Sequence, residues 1–126
     1  MGPVGIHLTR LRERIGDFET QEVPGNGCIV RIPNVALPVG WSKQQTQVTL
    51  VAPEGYPFAK PDCFWTDVDL RLANGALPKN SQLNNPIPGY GGNHLWFSWH
   101  VDPWNPNQND LITWFTLIKR RLAQPQ

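Results

Sequence analysis

An α+β domain, a small antiparallel sheet with helices packed against it, is predicted by three features of the 126-residue sequence. Apolar residues recur at helical spacing at both ends of the chain. Between those ends lie runs rich in branched residues, some alternating with period two. Short Gly- and Pro-rich connections join successive runs, which suits an antiparallel meander and not the long crossovers of a parallel sheet.

Taken in order, Val4, Leu8, Leu11 and Ile15 mark one face of a short first helix, with Arg10, Arg12 and Arg14 forming a basic outer face and Gly16 ending it. "DFETQEV" reads as a strand that stops at the turn signal "PGNG", and "CIVRIPNVAL" as a second. "TQVTLVA" puts Val48 and Leu50 on one face against Thr49 and Val51 on the other. A fourth strand, "DCFWTDVDLRL", turns Phe64 and Val68 inward. Residues 73–93 carry Gly75, Gly89, Gly91, Gly92, Pro78, Pro86 and Pro88 without any period, and a loop of that length in a small domain is usually functional or mobile. Leu111, Trp114, Phe115, Ile118 and Leu122 then define a closing helix over one face of the sheet. Asn109 or Asn107 is the expected cap, and Lys119, Arg120 and Arg121 complement the negative end of its dipole. Residues 1–126 are read as a single domain, without repeats or linkers.

Composition narrows the function classes. With 40% hydrophobic and 17% charged residues the chain is globular rather than disordered. A formal net charge of +1 gives no global pull toward nucleic acid or anionic membranes. No apolar run approaches the ~20 residues of a membrane span. "MGPVGIHLTRLRERIG" has no signal-peptide core, so a cytoplasmic protein is expected. Cys28 and Cys63 sit in the apolar runs "GCIVRI" and "DCFW" and are read as buried, reduced thiols. No Cys or His spacing matches a zinc motif, and the Gly89–Gly92 cluster opens no phosphate-binding helix, so neither metal nor cofactor is expected.

At "VTLVAPEGYPFAKPDCFW" the element order resembles a known family. An alternating strand, Pro53, the triplet Tyr56-Pro57-Phe58, Pro61 and a strand carrying Phe64 are similar to the ubiquitin-conjugating enzyme (UBC-like) superfamily. The prolines deny the backbone a ladder donor, so the third strand must end before the fourth begins. Trp104 and Pro106 match the Trp-x-Pro that precedes the helix after the active site in that superfamily. The sequence departs from the pattern in three respects. It stops after one such helix, it lacks the family's His-Pro-Asn, and counting back about eight residues from Trp104 to the family's nucleophilic cysteine reaches Trp96. Divergent bacterial members are the nearest likeness. The resemblance implies an activating-enzyme-like, adenylating partner and a ubiquitin-like protein, with an oxyester in place of a thioester in some of that group.

The stretch "HLWFSWHVDPWNPNQNDLITWF" holds the residues suited to that chemistry. In an extended segment Ser98 and His100 point to the same side. A serine hydroxyl needs a base to take its proton, and imidazole is the natural one. Asp102, at the next i+2 step, is expected to orient His100. Asn93 and His94, at the end of the long loop, are read as an oxyanion amide and a second proton carrier. The resemblance makes Arg10, Arg12 and Arg14 a contact for the activating enzyme, and Tyr56 and Phe58 a second contact surface. The alternative is a UBC-like binding or scaffold module in which Ser98 and His100 are packing. An unrelated hydrolase site is disfavoured because no G-x-S-x-G elbow is present.

Overall fold

Helix α1 (Pro3–Ile15) opens the computed structural model, which describes residues 3–126, with side chains from Val4 onward. Strands β1 (Glu19–Val23), β2 (Gly27–Ala36), β3 (Gln45–Pro53), β4 (Asp62–Asp67), β5 (Ser81–Gln82) and β6 (His94–His100) follow, and α2 (Leu111–Leu122) ends the series. The strands form one sheet in the order β1-β2-β3-β4-β6-β5, every pairing antiparallel. The expected α+β architecture is present, including the four-strand meander and the two helices. The sheet is larger than expected, because β6 pairs along β4 and the two-residue β5 pairs with β6.

Alternation in β3 does what its sequence suggests, but both faces are covered. Val48, Leu50 and Ala52 join the main core with Leu11, Val30, Phe64, Leu95, Phe97, Trp114 and Ile118. Val51 faces the other way, in a smaller cluster with Ile29, Trp65 and Ile87. Phe64 and Phe97, cross-strand partners on β4 and β6, stack with ring centroids 4.7 Å apart. Val68 lies past the end of β4 and is exposed, so the inward orientation expected for it is corrected.

The 73–93 segment is neither structureless nor free. Ile87 is fully buried in the smaller cluster, and Trp65 Nε1 donates to the Asn85 carbonyl at 2.7 Å. Glycine with positive φ at Gly89 lets this loop pass close to Asn26 and Val23, where a Cβ would sit 2.6 Å from both side chains. The loop therefore serves as a cover for the sheet face that the helices leave open.

Both helix ends have local causes. Gly16 takes φ 91° and its amide donates to the Arg12 carbonyl at 2.9 Å, a left-handed stop. At α2 the cap is Asp110, not Asn109 or Asn107, and it forms a capping box with Thr113. The asparagines are engaged one turn earlier: the Asn105 amide donates to Asn109 Oδ1 at 2.8 Å, and the Asn107 amide to Asn105 Oδ1 at 2.9 Å. Arg121 is not a surface charge on the dipole. It is 3% exposed, donates to the carbonyls of Lys79, Gln124 and Gln126, and lies against the rings of Trp41, Phe97 and Trp99.

Candidate functional site

Strand β6 sorts its own side chains. Leu95, Phe97 and Trp99 point into the core under the helices, whereas Trp96 packs on the smaller cluster. By the same alternation His94, Trp96, Ser98 and His100 share the face away from the helices. The aromatic residues of this stretch are thus packing, and the hydroxyl and imidazole stand on the opposite side from most of them.

The neighbouring strand supplies what β6 lacks. Asp62 pairs with His100 and Phe64 with Phe97, so Ser98 and Trp99 of β6 stand opposite the single Cys63 of β4, a bulge on β6. Cys63 has φ 61°, a left-handed conformation that costs a non-glycine residue about 1–3 kcal/mol. The bulge brings the Asp62 carboxylate onto His100 Nδ1. The other ring nitrogen, Nε2, lies 3.5 Å from Ser98 Oγ. That is the long limit for a hydrogen bond, a length that catalytic pairs show before substrate tightens them. Asp62, His100 and Ser98 therefore line up as carboxylate, imidazole and hydroxyl, with each imidazole nitrogen assigned a partner. The Ser98 backbone is fixed by its amide, which donates to the Asn80 carbonyl at 2.7 Å. Side chains of Asp62 and His100 are 52% and 57% exposed, so a macromolecular substrate can reach them.

Cys63 completes the cluster: one donor atom each from Asp62, Cys63 and His100 lies within 4.8 Å of the others. Burial raises its thiol above the usual range, and the neighbouring Asp62 charge adds to this, against the polar Trp99 backbone and Trp96 side chain. The thiol is the protonated form at neutral pH. Cys28 is buried and its thiol is likewise raised by burial, so neither cysteine is a ready thiolate.

Several expected site residues stand elsewhere. Asp102 is exposed beyond the end of β6 and forms no hydrogen bond to His100; the carboxylate beside His100 is that of Asp62. Asn93 and His94 lie at the opposite end of β6, four to five residues from Ser98, or roughly 14–17 Å along an extended strand. His94 instead lies beside Tyr90, and burial lowers its pKa against the opposing charge of Asp67. Asp62 escapes any reading by local spacing, since it lies 38 positions from His100 and meets it only through the β4–β6 register.

The residues read as contact surfaces also divide. Arg10 and Arg14 are exposed on α1, but Arg12 is half-buried, its guanidinium 4.4 Å from the Phe18 ring centroid. Phe58 is 80% exposed, whereas Tyr56 is buried and its hydroxyl meets His7 Nδ1 at 2.6 Å. Trp104 Nε1 donates to the Pro57 carbonyl at 2.7 Å, and its ring lies 6.1 Å from that of Tyr56. The Tyr-Pro-Phe turn and the Trp-x-Pro segment, far apart in sequence, thus hold each other, and His7 ties α1 to both.

A helix, an antiparallel sheet and a following helix, with a Tyr-Pro-Phe turn latched to a Trp-x-Pro segment, define a UBC-like fold. The sequence pattern of the prokaryotic E2 family E matches residues 8–125, and the chain belongs to that family. No match is found among curated proteins or among solved structures. Membership of an E2 family implies, in general terms, interaction with a ubiquitin-like protein and an activating enzyme. Among the described residues, no helix is long and apolar enough to cross a membrane.

Proposed function

We propose that this chain is a divergent E2-like carrier in a bacterial ubiquitin-like conjugation pathway, without the superfamily's usual cysteine, that holds its cargo as an oxyester on Ser98. The observation that carries this reading is the Asp62–His100–Ser98 alignment on the open face of β6. His100 Nε2 takes the Ser98 proton as Oγ attacks the acyl carbon presented by the activating enzyme, and the bond to that enzyme's leaving group breaks. Asp62 holds the ring with Nδ1 protonated and stabilises the imidazolium. An acceptor amine or water then attacks the ester and gives its proton to His100, and the Ser98 Oγ–acyl bond breaks as His100 protonates Oγ. An oxyester is less activated than a thioester, so transfer depends on orientation of the acceptor. Arg10, Arg14 and Phe58 are the contact residues for the activating enzyme and the ubiquitin-like protein, both macromolecules of the cytoplasm in this reading.

The test is a loading reaction with the activating enzyme, the ubiquitin-like protein and ATP, followed by intact mass of this chain. The expected adduct survives thiol, is cleaved by mild base and is missing in Ser98→Ala. A second reading, a non-catalytic binding or scaffold module, is favoured by the position of Ser98 inside a hydrogen-bonded strand. No adduct with active partners, together with retained binding in Ser98→Ala, would decide for that module. A thiol-labile adduct would move the nucleophile to a cysteine.

A further inference from the structure

A regular strand sends neighbouring side chains to opposite faces. The left-handed backbone at Cys63, opposite the bulged pair of β6, breaks that rule and leaves Asp62 and Cys63 both beside His100 of the next strand. We propose that Asp62, Cys63 and His100 bind a divalent transition-metal ion of the zinc class. This inference rests on the side-chain cluster and is independent of the ester on Ser98.

Three observations support it. The donors are a carboxylate oxygen, a thiol sulfur and an imidazole nitrogen within 4.8 Å of one another. A carboxylate, a thiolate and a neutral imidazole balance a doubly charged ion, and sulfur with nitrogen selects zinc-like metals over magnesium or calcium. Tetrahedral zinc with bonds of about 2.0–2.3 Å sets its donors roughly 3.3–3.6 Å apart. Asp62 and His100 are more than half exposed, so they can separate from each other and turn toward the sulfur, and the ion has an entry path.

Three protein ligands leave a fourth position open, which is the pattern of an exchangeable rather than a closed structural site. The site also bears on the chemistry of Ser98. An ion on His100 Nδ1, the nitrogen that faces Asp62, leaves the only ring proton on Nε2. The imidazole would then donate toward Ser98 and could not accept its proton. Bound metal is therefore a switch that silences the base. No metal-binding spacing is visible in the sequence, because the ligands come from two strands joined only by their register.

The test uses the purified full chain, stripped of metal, without any partner. Cobalt(II) is titrated as a spectroscopic probe and zinc affinity is measured against a chromogenic chelator. The expected result is one ion per chain with a cobalt–thiolate charge-transfer band. Cys63→Ser should abolish the band, and Asp62→Asn and His100→Gln should each weaken zinc binding by at least about 10-fold. Magnesium should not compete, and Ser98→Ala should leave zinc affinity within about 2-fold, since Ser98 is not a ligand. Circular dichroism checks each variant, and if Cys63→Ser does not fold, the two exposed variants carry the test. Absence of the thiolate band, or zinc affinity unchanged in the folded variants, overturns the proposal whether or not the ester exists.

Discussion

The two faces of the sheet are made by the same strands and do different work. The face under α1 and α2 is a continuous core in which Leu11, Val30, Phe64, Phe97, Trp114 and Ile118 are inaccessible to water. The other face has only Ile29, Val51, Trp65 and Ile87 buried together, with the Asp62, Cys63, Ser98 and His100 side chains near one end of it. Strand β6 shows the division within seven residues, Leu95 and Phe97 inward and Ser98 and His100 outward. Most of the buried apolar side chains thus lie on one face, and the exposed polar cluster stands on the other. Within a β-strand, a functional cluster can stand directly behind a core without entering it.

Substitutions on the two faces should separate these roles. The largest effect is expected on the helix side. Trp114→Ala removes the largest fully buried side chain and should lower unfolding free energy by about 3–5 kcal/mol in urea denaturation. Among the described residues Trp114 Nε1 has no hydrogen-bond partner, so this loss is one of packing. An equal loss from a surface substitution would erase the distinction between faces. On the opposite side, Ile87→Ala should cost about 2–3 kcal/mol, the low end for such a change, because its cluster is small and lies under a loop that can settle. The same variant should speed exchange of the Trp65 indole N–H, whose bond to the Asn85 carbonyl it supports.

Asp62→Asn and Ser98→Ala sharpen the comparison from the functional side. Both positions lie at a partly open surface, so each should change stability by no more than about 0.5 kcal/mol while abolishing the base-labile adduct. A large stability loss in either would return these residues to a structural role. The smallest effect is expected from pH. The pKa of His7 is lowered, chiefly by burial beside Tyr56 and further by Arg10, with Asp110 opposing; burial also lowers that of His94. Both are neutral when folded. The unfolded chain takes up these protons first as pH falls through about 6.5, so stability should be flat above pH 7.5 and decline toward pH 5. His7→Gln should flatten part of that decline in a denaturation series.

Period and punctuation made much of the fold legible. Helical spacing found α1 and α2, and alternation found β3 with the correct faces for Val48 and Val51. The strand and carboxylate errors share a physical cause, that a local pattern does not encode pairing. Tryptophans on both faces of β6 hid its alternation, and β5 is two residues held by its neighbour. Asp102 was the nearest carboxylate in sequence, but antiparallel register put Asp62 beside His100. The cap of α2 went to Asp110 because the preceding asparagines were already engaged in the turn. The bulge opposite Cys63 has no signature in "FSWH", since it arises from the mismatch between β4 and β6.

The most direct measurement is to map the adduct. The full chain is loaded with the activating enzyme, the ubiquitin-like protein and ATP, digested under mildly acidic conditions that preserve esters, and sequenced by tandem mass spectrometry. The account predicts that the C-terminal remnant of the ubiquitin-like protein is attached to Ser98 and disappears in His100→Gln. A remnant on Cys63, or on any residue away from the Asp62–His100 pair, would contradict it.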